Sequence, residues 1–261
     1  MAESSAPAAT DSGSSGCDRN CLPDLGGRHY TGVLEHFHKI LQPKTYLEIG
    51  VNRGKTLKLA ACATIGVDTE FRIDQNVMEA KPFCGLYQMP SDDFFAKHNP
   101  EAIFGGKIDM AFLDGLHLCE FLLRDFANTE RHCRRNSVVI LHDCVPVETA
   151  IALRNPGATE PIVAHRRLWW AGDVWRTLLA LKRFRPDLDI TVLDAPPTGL
   201  VCITNLDPQN RTLFEQYGEI VRAMMAYSFD DMSIEDFCAH VGVESTSAIE
   251  SREQLSARFW L

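Results

Sequence analysis

Apolar positions follow two rhythms along this chain. Val33, Leu34, Phe37, Ile40 and Leu41 recur at the spacing of one helix face, and Pro43 closes that segment. From Tyr46 the pattern shortens into runs. Tyr46, Leu47 and Ile49 make a brief strand that breaks at Gly50 and Gly54, and a helix is expected from about Lys55. ATIGVD forms a second strand ending at Asp68, and GLYQM a third, followed by Ser91, Asp92 and Asp93 as a helix-capping signal. Ile108 to Leu113 and Val138 to Leu141 are near-continuous apolar runs, the mark of central parallel strands buried on both faces. Between them Leu118, Phe121, Leu122 and Phe126 line one helix face, with Arg131, His132, Arg134 and Arg135 expected in its last turn, where cations suit the helix dipole.

A long loop is expected over residues 147–168, then a helix carrying Val174, Leu178, Leu181 and Phe184. ITVLDAPPTGLVCITNL reads as two strands around a proline–glycine turn, and helix is expected from about Pro208 to Tyr227 with a mixed helical tail beyond. Five strand–helix alternations imply an α/β fold, a parallel sheet with helices on both faces, to which the hairpin adds an antiparallel strand. The expected organisation is a disordered polar tail over residues 1–22, an α/β domain over 23–207 and a helical extension over 208–261.

Composition narrows the function. With a formal net charge of −9, a sequence-independent grip on nucleic acid or on an anionic membrane is not expected. No apolar run reaches membrane-spanning length, and the N-terminus lacks the basic and apolar regions of a signal peptide. Nine cysteines spread over the chain fit buried thiols in a reducing compartment, which makes the cytoplasm the expected location. Cys17 and Cys21, with His29, His36 and His38 nearby, have the composition of a zinc site, but a polar tail beside them favours no site; His36 and His38 read as a solvated helix face.

The candidate chemistry sits at strand ends. Glu48, Asp68, Asp114, His142 and Asp143 all fall at carboxyl ends of expected strands, and in an open α/β sheet that edge binds ligands. Asp68 follows Glu48 by twenty residues, where a βαβ nucleotide fold holds ribose hydroxyls. The spacing E-x-G-x-x-x-G of Glu48, Gly50 and Gly54 is neither a dinucleotide fingerprint nor a P-loop, which disfavours a nicotinamide dehydrogenase.

That motif resembles motif I of the class I S-adenosylmethionine (SAM) methyltransferases. YLEIGVNRGKTL, FLDGLH, VVILHD and LDAPPTGLVCIT together resemble a bacterial group of family-24 type, over roughly residues 30–207. The resemblance implies a Rossmann-like fold, a seven-stranded mostly parallel sheet with a C-terminal antiparallel hairpin strand. It implies SAM as cofactor, with Glu48, Gly50 and Gly54 shaping the methionine pocket, Asp68 on the ribose and Asp92 or Asp93 on the adenine. Asp114 would lie at the cofactor's reactive end, facing the acceptor with His142 and Asp143. In related sugar O-methyltransferases these positions hold Mg²⁺. Here the pair after the fifth strand is His-Asp, so a softer divalent ion on Asp114, His142 and Asp143, with His117 as a fourth candidate, suits the donors better.

Alternatively His117 or His142 is a general base, with Asp143 beside it, for an acceptor hydroxyl. The acceptor expected is a small molecule or glycan, and a homo-oligomer is compatible with the sequence. Trp169, Trp170 and Trp175 either pack the following helix or wall the acceptor pocket. His165, Arg166 and Arg167 either grip an anionic acceptor or are solvated. Two other readings stay open: a SAM-binding partner without catalysis, and a metal-dependent enzyme of another class on the same fold.

Overall fold

The computed structural model describes residues 18–260. Helix α1 (Tyr30–Leu41) leads into strand β1 (Thr45–Ile49), then β2 (Ala63–Asp68), β3 (Cys84–Gln88) and helices α2 (Ser91–Lys97) and α3 (Pro100–Phe104). Next come β4 (Ile108–Leu113), α4 (Cys119–Glu130), β5 (Cys133–His142), α5 (Trp175–Phe184) and the hairpin strands β6 (Asp189–Leu193) and β7 (Leu200–Thr204). The chain finishes with α6 (Thr212–Glu215), α7 (Tyr217–Ala226), α8 (Ile234–Val241), β8 (Val243–Glu244) and α9 (Arg252–Arg258).

All eight strands join one sheet in the order β3-β2-β1-β4-β5-β7-β6-β8. The first five are parallel, and β7 runs antiparallel to both β5 and β6. This is the expected Rossmann-like methyltransferase architecture with one strand more. The added strand is β8, two residues that pair with Val192 and Leu193 of β6 from within the expected helical extension. Alternation along the strands divides the core. Ile108, Leu113, Val139 and Leu141 pack with Phe126, Trp175 and Phe237 on one face, where α4, α5 and α8 lie. Met110, Phe112, Val138 and Ile140 pack with Phe37 and Phe259 on the other, under α1 and the chain end after α9. Each of these fully buried side chains contributes about 1.5–3 kcal/mol of transfer free energy.

Three local expectations give way to tighter geometry. After β1 there is no α-helix, only a 3-10 turn at Leu57–Leu59. Thirteen residues separate β1 from β2, and the Gly50–Thr56 turn consumes half of them, with Gly54 N–H bonded back to Val51 O at 2.8 Å. At α2 the capping position is Pro90 and no side chain caps the helix; Asp92 and Asp93 instead stand in its first turn. Helix α4 stops at Glu130, so Arg134 and Arg135 belong to β5 rather than to a helix terminus.

Of the tail expected over residues 1–22, residues up to 17 lie outside the described ones, and so does Cys17. Residues 18–22 are held to the body. Cys21 bridges to Glu148, and Arg19 pairs with Glu235 and Asp236. Arg166 is the anchor. It is 2% exposed, and its guanidinium reaches Asp24 (2.8 Å), Leu22 O (2.7 Å) and Glu148 (3.2 Å). His165 also pairs with Asp24, at 2.8 Å. These two side chains are therefore a clamp rather than an anion grip, and Arg167 is exposed. Replacing Arg166 by Met leaves the Glu148 carboxylate buried without its partner. The expected cost is about 3–5 kcal/mol of unfolding free energy, read by denaturant titration, with Arg166→Lys intermediate; a cost within experimental error would contradict the clamp.

Candidate functional site

The carboxyl ends of β1, β2, β4 and β5 open onto one cleft of about 870 Å³, a size typical of small-molecule sites. Its first half is built by the turn after β1. Gly50 adopts φ +88°, and a Cβ there would meet the carbonyl oxygen of Asp114 at 1.9 Å. Only glycine permits that approach. Beside it, Asp68 takes the N–H of Asn52 at 2.7 Å and that of Glu70 at 3.0 Å, which fixes its carboxylate at the cleft edge. Asn52, Asp68, Glu70 and Arg72 line this half, and Arg72 pairs with Glu70 at 2.7 Å. Asp92 reaches the cleft from α2, with its carboxylate held by Arg124 at 2.8 Å.

The second half is an acid–imidazole group. His142 Nδ1 stands 3.1 Å from Asp114 and 3.3 Å from Asp143. His117 Nε2 is 3.4 Å from Asp114, and its Nδ1 is 3.2 Å from Asp143 and 2.7 Å from Trp170 O. Asp143 sits at φ +61°, a conformation that aspartate tolerates better than most residues, and accepts a hydrogen bond from the Thr198 hydroxyl. Burial would lower both imidazole pKa values, but the two carboxylates outweigh it. They hold His117 up at about 9 and His142 well above its ordinary value. Burial pushes the carboxylates the other way, and the facing histidines win there too, so Asp114 and Asp143 are depressed. Two anions and two cations thus balance inside the cleft. His142 Nε2 is buried with no protein partner. The rings of Tyr30 and Phe112 lie 4.3 and 5.8 Å from the His142 ring.

Not every expected residue reaches this site. Gly50, Asp68, Asp92, Asp114, His117, His142 and Asp143 line the cleft; Glu48, Gly54 and Asp93 do not. Glu48 is fully buried beneath the turn, accepting hydrogen bonds from the hydroxyls of Tyr46 and Thr56, each at 2.7 Å. Gly54 faces Val77, whose Cγ1 would stand 2.5 Å from an added Cβ. Asp93 points outward to Lys97. Trp169 and Trp170 wall the cleft, whereas Trp175 packs into the core against Phe229 and Phe237. His38 is buried against Tyr46 rather than solvated, and His36 bonds to Ile249 O at 3.1 Å.

As a metal site the converging set shifts by one residue. The ligand atoms of Asp114, His117 and Asp143 lie within 4.8 Å of one another, with His117 in the place expected for His142. Two carboxylates and an imidazole fit a divalent ion of intermediate softness better than Mg²⁺. A second such group, Cys119, Glu120 and Asp173, is already bound by Arg154 through both carboxylates. Cys21 belongs to neither group.

Tyr30 and Thr198 left no mark in the sequence pattern. Tyr30 enters because its N–H bonds to Pro196 O at 3.1 Å, docking the start of α1 on the β6–β7 hairpin. Thr198 enters because β7 pairs Leu200 with His142.

Comparisons with known proteins agree with this fold. A family model described as a methyltransferase domain, the family-24 type, matches residues 47–144. No curated protein matches the chain in sequence. Among solved structures, a methyltransferase of Podospora anserina with S-adenosylhomocysteine (SAH) bound superposes with a TM-score of 0.51 at 15% identity, over 68% of this chain and 78% of that one. The O-methyltransferase TomG of Streptomyces achromogenes, solved with SAM, gives a TM-score of 0.49 at 17% identity, over 70% and 82%. At these identities the likeness is one of fold.

Burial lifts Glu48 from an ordinary value of 4.5 to about 8, despite the two hydroxyls that favour its anion. The folded protein therefore keeps a proton that the unfolded chain releases above pH 4.5. The stability this proton brings is complete below that pH and is lost as pH rises towards about 8, by at most about 1.4 kcal/mol per pH unit. Unfolding free energies of wild type minus Glu48→Gln should fall across that window and level off above it. A difference that does not change with pH would show that Glu48 is ionised in the fold.

Proposed function

We propose, for a chain that carries a class I SAM-dependent methyltransferase domain, that its cleft passes the SAM methyl group to an oxygen of a small, neutral, flat-bodied acceptor. The observation that carries this reading is that Asp68 and the acid–imidazole group open onto the same cleft from opposite sides of the Gly50 turn. Asp68 is suited to the ribose hydroxyls: each of its oxygens takes one backbone N–H and keeps a lone pair for a second donor. Asp92, also in the lining and held by Arg124, is the residue we assign to the adenine.

The acceptor half selects by shape. Tyr30, against His142, and Trp170, against His117, give it apolar walls. Among the described cleft-lining residues Arg72 is the lone lysine or arginine, and it is paired on the ribose side. No cation is free to hold a phosphate or carboxylate, which favours a neutral acceptor such as a hydroxylated aromatic or a sugar.

Transfer breaks the S–CH₃ bond, leaving SAH, and forms an O–CH₃ bond in line; the acceptor hydroxyl turns strongly acidic as its oxygen gains the methyl group and gives its proton to the Asp114 or Asp143 carboxylate. Asp114 and Asp143, kept ionised by their histidines, are the groups to orient that hydroxyl and receive its hydrogen bond. His117 and His142 fix the carboxylates. The apolar walls keep water from the sulfonium. A divalent ion held by Asp114, Asp143 and His117 would take the place of a His117 proton and would supply Lewis-acid activation of the acceptor oxygen.

Calorimetry with SAH tests the donor half. Wild type should bind, and Asp68→Ala should weaken binding by about 10- to 100-fold, the worth of hydrogen bonds to a charged group. No binding by the folded wild type would overturn the reading. Labelled methyl transfer from SAM to a panel of neutral aromatic and sugar hydroxyls tests the acceptor half; SAH binding without transfer to any of them would instead favour a non-catalytic binder. Elemental analysis of the purified protein should find a transition ion that Asp143→Ala loses; magnesium alone would contradict the softer-ion assignment.

A further inference from the structure

A second cavity, of about 820 Å³, opens between the end of α5, the start of β6 and the α7–α8 connection. It lies at the opposite sheet edge from the cleft, because β6 runs parallel to β5 and the cavity meets β6 at its beginning. Its floor is apolar: Leu179 and Leu188 are buried, and Ile190 and Met232 partly so. Its mouth is cationic. Lys182, Arg183 and His240 stand around it, and none of the three makes an ion pair with a protein carboxylate among the described residues. Lys182 and Arg183 suit the dipole at the end of α5, but that accounts for two charges and not for the hollow between them. Arg185, in the same wall, is saturated by Glu130 (2.6 and 2.8 Å) and Asp187 (2.8 Å) and takes no part. Asp231 is the one acid in the lining, and it is exposed.

A chain with a net charge of −9 thus presents an apolar hollow with Lys182 and Arg183 at its mouth, neither in an ion pair among the described residues. Charge and polarity together select one kind of occupant. We propose that this cavity binds an amphipathic carboxylate, its apolar tail on Leu179, Leu188, Ile190 and Met232 and its head between Lys182 and Arg183. The tail gains by leaving water, and the head meets two charges that no protein carboxylate pairs with among the described residues, Arg183 lying over the Phe184 ring at 5.0 Å. Tyr227, also in the lining, offers its hydroxyl as a further donor to the head group. The site is independent of the methyl-transfer cleft and does not rest on that reading.

Calorimetry with decanoate, set against decanol, tests it. The whole chain should bind decanoate saturably at one site. Decanol should bind at least about tenfold more weakly, since it forfeits the charge-assisted contacts. The double variant Lys182→Gln, Arg183→Gln removes the rim charges and should lose decanoate by a similar factor, with thermal melting as the check that α5 is intact. Ile190→Trp should fill the floor and abolish binding, with thermal melting as the check that it folds. SAH affinity in the cleft should be the same in wild type and in the rim variant. Equal affinity for decanoate and decanol, or undiminished decanoate binding by the rim variant, would overturn the proposal, as would no binding by wild type.

Discussion

The cleft depends on one close contact, that of the Gly50 backbone with the Asp114 backbone. Three strand ends meet there. Gly50 N–H reaches Val67 O at 2.9 Å, and Asp114 N–H reaches Ile49 O at 2.8 Å. The turn can close only because position 50 has no Cβ and accepts a positive φ. β2, β1 and β4 are thereby fixed in register at their ligand-binding edge. Asp68 and Asp114, which belong to different strands and different halves of the site, become walls of one cavity. A side chain at position 50 would force the β4 end outward and take the acid–imidazole group with it.

Electrostatics sets the division of labour within that cavity. Three carboxylates stand at the carboxyl ends of β1, β2 and β4, and the fold treats each differently. Glu48 is sealed under the turn with two hydroxyls and keeps its proton. Asp114, partly open to the cleft, faces two imidazoles and stays ionised. Asp68 is anchored by backbone N–H groups and remains open to the cleft. Paired charges in the acceptor half cancel one another, which spares the fold the cost of an isolated buried ion. The same pairing leaves a polar, oriented surface for an acceptor hydroxyl among otherwise apolar walls.

Much of this was legible in the sequence because strands buried on both faces write continuous apolar runs, and polar residues at their ends then stand out. β1, β2, β4 and β5 and the residues Asp68, Asp114, His142 and Asp143 were found that way. What the pattern could not carry was side-chain direction. Glu48 occupies the same kind of position as Asp114, yet its carboxylate turns down towards Tyr46 and Thr56. Nor could it carry contacts made across the chain. Tyr30 reaches the cleft by docking on the β6–β7 hairpin, and Thr198, in that hairpin's turn, through the pairing of β7 with the distant β5. Arg166 looked like a solvated loop cation, and became a buried clamp because Asp24 and Glu148 converge on it. The missing helix after β1 reflects chain length: a glycine turn with two close backbone approaches leaves room only for a 3-10 turn before β2 begins.

The most direct test is a crystal structure of the protein with SAH bound. The account predicts ribose hydroxyls on Asp68, the sulfur turned towards Asp114 and His117, and Glu48 still sealed beneath the Gly50 turn. A nucleoside seated elsewhere on the molecule, or one held by an outward-turned Glu48 with Asp68 left free, would contradict it.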